Sequence, residues 1–113
     1  MQKVLEISYL YDFYQNLLTP KQKELITGYY FEDFSLRELS DMYNISRQSV
    51  YNTINKVERK LVQFEVKLGL VKKFMALEEI VEKLDKLVSN TVPLKEQDLV
   101  YIKNLLAELK NEI

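Results

Sequence analysis

Apolar side chains recur at alternating steps of four and three residues through the middle of this 113-residue chain. The series is Val50, Ile54, Val57, Leu61, Phe64, Leu68 and Val71. This spacing keeps one face of an α-helix apolar, and it predicts about 20 helical residues between Arg47 and Gly69. The chain holds only two glycines and two prolines, which argues against a turn-rich all-β fold. The predicted fold class is therefore all-α.

Signals for helix ends divide the residues before this long helix into shorter ones. The first helix is predicted from Lys3 to Leu18, and its apolar residues cover more than one stripe. A helix of that kind is usually contacted on two sides, by its own domain and by a neighbouring element or a second chain. Thr19, with Pro20 after it and Gln22 completing a capping box, predicts the start of a second helix.

A second capping box, formed by Ser35 and Glu38, predicts a short third helix. Its predicted inward residues are Leu36, Leu39, Ser40 and Tyr43. Asn44 can end this helix, because asparagine tolerates the left-handed backbone conformation better than most residues do. Ile45 is predicted to fill the turn, and Ser46 to cap the long helix.

In the C-terminal part, apolar residues recur at the same alternating steps of three and four, but they fall on a different side of a continuous helix. The second series is Phe74, Leu77, Val81, Leu84 and Val88, and the last predicted helix carries Leu99, Ile102, Leu106, Leu109 and Ile113. The phase changes beside Gly69, which favours a bend or break there over a continuous helix with a stammer. A turn over residues 89–93 would let the last helix pair with residues 74–88. We therefore expect a domain at residues 1–68 and a helical extension or hairpin at residues 69–113, packing on the first part or on a second chain.

The segment from Phe34 to Leu61 has the layout of a helix-turn-helix, in which one helix steadies a second that reads the DNA major groove. Leu39, Tyr43, Ile45, Val50 and Ile54 would join the two helices. The polar residues on the other side of the second helix are the predicted DNA-binding residues. They are Arg47, Gln48, Ser49, Tyr51, Asn52, Asn55, Lys56 and Arg59. Arginine suits guanine, glutamine and asparagine suit adenine, and the later cations suit phosphates.

The distribution of charge supports this interpretation, although the whole chain has a net charge of −1. Residues 44–73 hold seven basic and two acidic side chains, whereas residues 1–43 and 74–113 each have a net charge of −3. A face that carries lysines only for solubility is the alternative interpretation. Binding through so few cations should be modest and strongly dependent on salt.

Composition excludes several classes of chemistry. The chain has no cysteine and no histidine, which excludes disulfides, thiol or Ser-His catalysis and the usual zinc sites. It has no phosphate-binding glycine loop and no carboxylate pair suited to acid–base catalysis, so we expect a non-enzyme without cofactor or metal. The N-terminus lacks the features of a signal peptide, and no apolar run approaches the roughly 20 residues of a membrane span. We therefore expect a cytoplasmic protein.

Particular motifs resemble known bacterial proteins. Residues 18–25, 34–39 and 45–50 resemble the helix-turn-helix of region 4 in bacterial sigma factors. The stretch from Tyr9 to Leu68 resembles more closely the YlxM-like family of bacterial cytoplasmic proteins. The motifs that carry this resemblance are Leu10 to Tyr14, Leu17 to Thr19 and Ser46 to Tyr51.

The resemblance implies a sigma-region-4-like helical DNA-binding fold without a wing, and a role in transcription regulation. The genes of that family commonly neighbour those of the signal recognition particle protein and its receptor, which implies a part in that pathway. The chain is too short to hold the other sigma regions, so it is not a complete sigma factor.

Two functions from different classes follow. The first is a regulator that binds double-stranded DNA as a homodimer, joined through its first helix or its C-terminal helices. The second is an adaptor that contacts signal recognition particle protein or RNA without binding DNA. The eight tyrosines and five phenylalanines could instead stack on single-stranded nucleic acid, but core packing is the favoured interpretation. The acidic cluster Glu78, Glu79, Glu82 and Asp85 is interpreted as a solvated helix face rather than as a metal site.

Overall fold

The protein is described here from a computed structural model that covers residues 2–89 and 93–113. These residues form six α-helices and one 3₁₀ turn, without a β-strand, which confirms the all-α class. The elements are α1 (Gln2–Tyr14), the 3₁₀ turn (Gln15–Leu17), α2 (Pro20–Tyr30), α3 (Leu36–Tyr43), α4 (Arg47–Leu68), α5 (Leu70–Val88) and α6 (Glu96–Glu112). The chain divides into two compact units, Met1–Gly69 and Leu70–Ile113. In the described part of the chain, no helix has the length and apolarity that crossing a membrane requires.

Helix α1 is shorter than its sequence predicts. The prediction ran to Leu18, but α1 ends at Tyr14 and tightens into the 3₁₀ turn, and Leu18 is extended. Helices often tighten in this way at their ends, and here Leu18 must leave the helix because Thr19 is the extended N-cap of α2. One stripe of α1 is buried, whereas Val4 and Leu5 on another side are exposed in the single chain. A contact on that second side therefore stays a prediction.

Both predicted capping boxes are confirmed. The Thr19 hydroxyl accepts a hydrogen bond from the Gln22 backbone N–H at 3.2 Å, and the Gln22 side chain accepts one from the Thr19 N–H at 3.0 Å. Ser35 and Glu38 make the same reciprocal pair at 3.0 and 3.1 Å. These bonds satisfy backbone donors that a helix start would otherwise leave unpaired. The starts of α2 and α3 are thus set by local sequence.

The link between α3 and α4 is a three-residue turn whose first residue is left-handed. Asn44 has φ 53° and ψ 47°, and its backbone N–H donates to the Ser40 carbonyl. Ile45 is half-buried, and its carbonyl accepts a hydrogen bond from the Ser40 hydroxyl at 2.5 Å. Ser46 accepts from the Ser49 N–H at 3.0 Å and caps α4. The predicted roles of Asn44, Ile45 and Ser46 are all confirmed.

The core of the first unit gathers around α4, which contacts α1, α2 and α3. Its fully buried side chains are Ile7, Leu10, Tyr14, Leu18, Leu25, Ile26, Leu39, Val50, Ile54, Val57 and Leu61. Helices α2 and α3 approach closely at Gly28, where an added Cβ would lie 2.9 Å from a methyl carbon of Leu39. Because Leu39 is itself fully buried, it has little room to move aside.

The aromatic side chains lie mainly at the rim, so the expected core packing is wrong for most of them. Tyr14 is the only fully buried aromatic residue among those described. Other rings are half-buried or exposed and meet in pairs, as Tyr11 does with Phe31 at 5.7 Å between centroids and Tyr29 with Tyr30 at 5.0 Å. Aliphatic residues fill the small core, and the rings cover its edges.

The long helical stretch is broken at Gly69, as the change of phase predicts. Helix α4 ends at Leu68, and Gly69 has φ 63°, a left-handed conformation that glycine adopts at little cost. The alternative, a continuous helix with a stammer, is wrong. Within the predicted 89–93 turn, residues 90–92 lie outside the described part of the chain.

Helices α5 and α6 pack on each other, through faces that only partly match the predicted ones. The inward positions of Leu77, Leu84, Ile102 and Leu109 are confirmed, whereas at the other predicted positions except Phe74 the preceding residue faces inward. On α5 the less exposed residues include Leu77, Ile80, Leu84 and Leu87, whereas the predicted Phe74, Val81 and Val88 are exposed. On α6 the less exposed residues are Asp98, Ile102, Leu105, Leu109 and Glu112, whereas the predicted Leu99, Leu106 and Ile113 are exposed. Because apolar residues stand next to each other in the sequence, either of two helix faces could be buried. On α5 the hairpin covers Ile80 rather than Val81 and Leu87 rather than Val88, the larger residue each time.

The left-handed turn generates a test. Replacing Asn44 by alanine should lower the free energy of unfolding by about 1 kcal/mol, because alanine pays a steric cost in this conformation. Replacing it by glycine should leave stability unchanged or slightly raised. Urea denaturation followed by circular dichroism measures both effects. An Asn44→Ala protein as stable as the wild type would show that the turn does not constrain the fold.

Candidate nucleic-acid interface

Helix α4 is fixed in rotation by its apolar stripe. Val50, Val57 and Leu61 are 0% exposed and Ile54 is 4% exposed. Removing such side chains from water stabilises the fold by about 1.5–3 kcal/mol each. Turning α4 about its axis would expose this stripe, so the opposite side of the helix has to face outward.

The eight predicted DNA-binding residues lie on α4, and the described structure leaves most of them accessible. Seven are exposed and Asn55 is half-buried. Because an α-helix turns about 100° per residue, five of the eight fall within an arc of about 100° opposite the buried stripe. These five form the outward ridge: Gln48, Asn52, Asn55, Lys56 and Arg59.

The other three predicted residues lie beside the ridge. Arg47 occupies the first helical position, and Ser49 lies on one flank of the helix. Tyr51, on the other flank, borders a surface pocket of about 290 Å³ together with Tyr29, Tyr30 and Leu36. The structure therefore brings five predicted residues onto one surface and places three at its margins.

Two amides of the ridge are already oriented. The side-chain N–H of Gln48 donates to the Asn52 side-chain oxygen at 3.0 Å, which links successive turns of the helix. Glutamine and asparagine can each pair with the two hydrogen-bonding groups that adenine shows in the major groove. Asn52 and Arg59 also border a surface recess of about 390 Å³. The ridge thus combines amide groups with a guanidinium.

Arg47 has an electrostatic position that favours an anion nearby. The first turn of α4 contains no acidic residue, and the N-terminus of a helix carries partial positive charge. A cation there slightly destabilises the helix but adds to its attraction for phosphate. Lys56 and Arg59 extend the positive charge along the same helix.

The sequence-based prediction missed the role of the two acidic residues of this basic segment. Glu58 accepts a hydrogen bond from the Tyr30 hydroxyl and forms an ion pair with Lys3, with the nitrogen and oxygen 3.2 Å apart. Glu65, two turns later, accepts a hydrogen bond from the Tyr14 hydroxyl at 2.6 Å. Both carboxylates therefore face α1 or α2. The sequence did contain a signal for this position, because residues seven apart, such as Glu58 and Glu65, lie on the same face of a helix.

These contacts raise the pKa of Tyr30 above its usual value of 10.0. Burial of the phenol is the largest cause, and the hydrogen bond to Glu58 and the negative charge of that carboxylate add to it. Burial also raises the pKa of Tyr43, with Glu24 as the nearby charge and hydrogen-bond partner. Both phenols thus stay protonated over a wider pH range in the folded protein.

The acidic cluster on α5 is engaged in pairs along its helix. Glu79 lies 3.7 Å from the Lys83 ammonium, and Glu82 lies 3.7 Å from that of Lys86. In residues 2–89 and 93–113, no group of three acidic side chains is arranged to hold a metal ion.

The family model described as "Putative helix-turn-helix protein, YlxM / p13 like", of the family UPF0122, matches residues 1–100. The chain belongs to the UPF0122 family. The predicted resemblance to YlxM-like proteins is therefore confirmed, and the family description agrees with the layout of α3, the Asn44–Ser46 turn and α4.

Individual bacterial members of UPF0122 match most of the chain. UPF0122 protein YlxM of Bacillus subtilis is 46% identical over 91 residues, which cover 80% of this chain and 83% of that protein. UPF0122 protein GK1195 of Geobacillus kaustophilus is 45% identical over 89 residues, which cover 79% of this chain and 81% of that protein. UPF0122 protein lwe1821 of Listeria welshimeri is 37% identical over 110 residues, covering 97% and 96%. This last similarity extends through the C-terminal helices.

The Tyr30–Glu58 contact generates a prediction with a definite sign. Because the pKa of Tyr30 is raised by folding, its contribution to stability is complete below pH 10 and is lost as the pH rises further. Tyr30→Phe should lower the free energy of unfolding by about 1–2 kcal/mol at pH 7.5, through loss of the hydrogen bond. It should also reduce the fall in stability between pH 7.5 and pH 10.5.

Urea denaturation at the two pH values measures both effects, with Tyr101→Phe, at an exposed position on α6, as the control. An equal alkaline loss of stability in the wild type and in Tyr30→Phe would contradict the assigned role of this contact.

Proposed function

We propose that this UPF0122 protein is a cytoplasmic, non-enzymatic regulator that binds double-stranded DNA through α4. The observation that carries the proposal is the outward ridge, whose polar and cationic side chains lie opposite a fully buried apolar stripe. The B-DNA major groove is about 12 Å wide and accepts an α-helix with its side chains. In this arrangement α4 lies in the groove, and α3 crosses the DNA backbone.

Different residues have different tasks in this proposal. Arg47, Gln48 and Asn52 lie in the first two turns of α4, the part of a recognition helix that contacts base edges. Lys56 and Arg59 lie further along the helix and contact phosphates, which gives affinity without sequence selection. Discrimination between sequences and overall affinity therefore depend on different side chains.

Electrostatics supports the same interface. The two carboxylates of the 44–73 segment are held by Tyr30, Lys3 and Tyr14, on the sides of α4 that face α1 and α2. The ridge itself contains cations and neutral polar groups. Glu58 also borders the recess beside Asn52 and Arg59, but its ion pair with Lys3 and its hydrogen bond from Tyr30 reduce its repulsion of an approaching phosphate. Binding through the ridge cations should weaken steeply as salt rises.

The proposed regulator acts as a homodimer. Two chains related by a two-fold axis present two copies of α4 to one face of a duplex, about 34–36 Å apart. A regulatory role in the signal recognition particle pathway rests on the family resemblance, with no residue of this chain assigned to it. Contact with the particle's protein or RNA in place of DNA is the competing function.

Arg47 and Gln48 should determine how well the protein discriminates between DNA sequences. A duplex selected from a randomised pool with the wild-type protein and a scrambled duplex are compared by fluorescence anisotropy at two salt concentrations. Arg47→Ala with Gln48→Ala should abolish the preference for the selected duplex, because each lost base contact removes about 1–3 kcal/mol of discrimination. Equal preference by the wild type and this variant would refute the proposed base contacts.

Lys56 and Arg59 should contribute to the affinity for duplex DNA of any sequence. Lys56→Ala with Arg59→Ala should weaken binding to both duplexes and lower the slope of log affinity against log salt by about 2. Lys83→Ala with Lys86→Ala removes the same charge from α5 and is the matched control, expected to leave the slope unchanged. If binding to signal recognition particle protein or RNA survives loss of Arg47 while no duplex is bound, the adaptor function replaces the proposal.

A further inference from the structure

The C-terminal hairpin exposes a row of large apolar side chains that its own core does not use. Five of them are between 45% and 86% exposed, namely Val81, Val88, Leu99, Leu106 and Ile113. We refer to these five as the apolar hairpin face. A row of this kind on two helices needs a physical explanation, because exposed apolar residues are normally scattered.

Helix geometry places the five residues on one side of the hairpin. Helices α5 and α6 contact each other and are joined by a short connection, so they run antiparallel. Val81 and Val88 each follow an α5 core position by one residue, and Leu99, Leu106 and Ile113 each follow an α6 core position by one residue. In heptad notation Val81, Val88, Leu99 and Leu106 occupy e positions, and Ile113 follows in the same series directly after the end of α6. The e positions of two antiparallel helices line the same side of the pair, so the five residues form one continuous surface.

The register of the hairpin also aligns these residues in layers. We take Ile80 and Leu105, the most buried residues of the two facing stripes, as lying at the same level in the pairing. Because the residue numbers run in opposite directions along the two helices, Val81 then lies within two residues, about 3 Å, of the level of Leu106, and Val88 lies equally close to the level of Leu99. Each layer carries one side chain from each helix, which suits knobs-into-holes packing against another pair of helices.

The size of the surface is consistent with a partner of similar size. Each of the five residues exposes on the order of 100 Å², so the face offers about 500 Å² of apolar area, within the range that marks interaction sites. With its polar rim the face can approach the ~800 Å² per partner of a specific interface. The second unit has only 44 residues, and among its described residues only Val71, Ile80 and Leu105 are buried. So small a core benefits from additional burial.

The charges at the rim determine which partner fits. Next to the apolar hairpin face, α5 carries Glu78 and Asp85 at b positions, and α6 carries Lys103 and Lys110 at b positions. Glu96 occupies the b position in the first turn of α6. The α5 edge of the face is therefore acidic, and the α6 edge is basic beyond its first turn. A two-fold axis parallel to the helices places the acidic edge of one copy on the basic edge of the other.

Along the helix axes, the acidic residues of one edge lie near the levels of the basic residues of the other edge. By the register of the hairpin, Glu78 lies about three residues, or 4.5 Å, from the level of Lys110, and Asp85 lies at the same offset from the level of Lys103, which flexible lysine side chains can span. The same axis leaves every residue at its own level, so that Val81 of one copy faces the other copy within about 3 Å of the level of its Leu106. The apolar layers and the rim charges are thus both compatible with a two-fold axis parallel to the helices.

We propose that the apolar hairpin face is where a second copy of this chain docks, forming a four-helix bundle in which α5 of each copy packs antiparallel to α6 of the other. This inference rests on the homodimer proposed above and names the surface that makes it. Helix α1, the other candidate for joining two chains, is not needed in this arrangement.

The first test is the oligomeric state of the full-length chain and of single variants, measured by sedimentation velocity and light scattering. The wild type should be a dimer, and Leu106→Glu should be a monomer or weaken the dimer by at least about tenfold, because a carboxylate would be buried in the bundle. Val100→Glu is the matched control, since Val100 is exposed on the same helix but lies outside the face. A monomeric wild type, or equal effects of the two variants, would overturn the proposal.

A second test exchanges the rim charges without touching the apolar residues. Glu78→Lys with Asp85→Lys makes both edges basic, and Lys103→Glu with Lys110→Glu makes both edges acidic. Each variant alone should dimerise at least about tenfold more weakly, and an equal mixture of the two should form a heterodimer, because opposite edges then face each other. If each variant dimerises as well as the wild type, or if the mixture forms no heterodimer, the two-fold arrangement is wrong.

Anisotropy with the selected duplex separates this inference from the proposed function. A monomeric wild type that still binds the duplex would refute the docking surface and leave DNA binding intact. A dimeric wild type that loses its dimer on Leu106→Glu but binds no duplex at low salt would refute DNA binding and support the docking surface.

Discussion

Burial of one stripe of α4 is the constraint on which the rest of the first unit depends. Val50, Ile54, Val57 and Leu61 are almost fully removed from water by α1, α2 and α3, which hold α4 at one rotation. The capped turn from Asn44 to Ser46 fixes where the helix begins. Rotation and starting point together determine which side chains face outward. The position of Arg47 and the ridge is therefore a consequence of core packing.

The same packing separates the charges of α4. Glu58 and Glu65 lie seven residues apart, on the side where tyrosine hydroxyls from α2 and α1 donate to them. A carboxylate in a partly buried site is stabilised when it accepts a hydrogen bond. In this way the acidic residues of the segment contribute to the fold, and Arg47, Lys56 and Arg59 stay exposed to solvent. One helix thus has a structural face and a face suited to polyanions.

Local signals predicted the structural elements well. Thr19, Ser35 and Ser46 were identified as caps because each bonds within its own first turn, and Asn44 because few other residues tolerate its backbone conformation. The outward position of the predicted site residues followed from the period of the apolar stripe, since helical spacing alone decides which residues oppose it. Whether those residues bind DNA stays a prediction.

Features that depend on contacts between distant residues were not predicted. The bond between Tyr30 and Glu58 joins two helices, and although Glu58 shares a helix face with Glu65, neither local sequence specifies Tyr30 as its partner. In the hairpin, Leu105 and Leu106 are adjacent leucines, so periodicity alone could not decide which one is buried. The structure places Leu105 inside and Leu106 outside, because the pairing of two whole helices determines the rotation of each. The end of α1 was missed because the extended cap of α2 determines it.

Amide NMR spectroscopy can show residue by residue whether the outward ridge of α4 contacts duplex DNA. The uniformly ¹⁵N-labelled full-length chain is titrated with a duplex at low salt, and the shifts of backbone and side-chain amides are followed. If α4 lies in the major groove, we expect the largest changes between Ser46 and Arg59, including the side-chain amides of Gln48 and Asn52. Changes confined to residues 70–113, or no change at any residue, would contradict that placement.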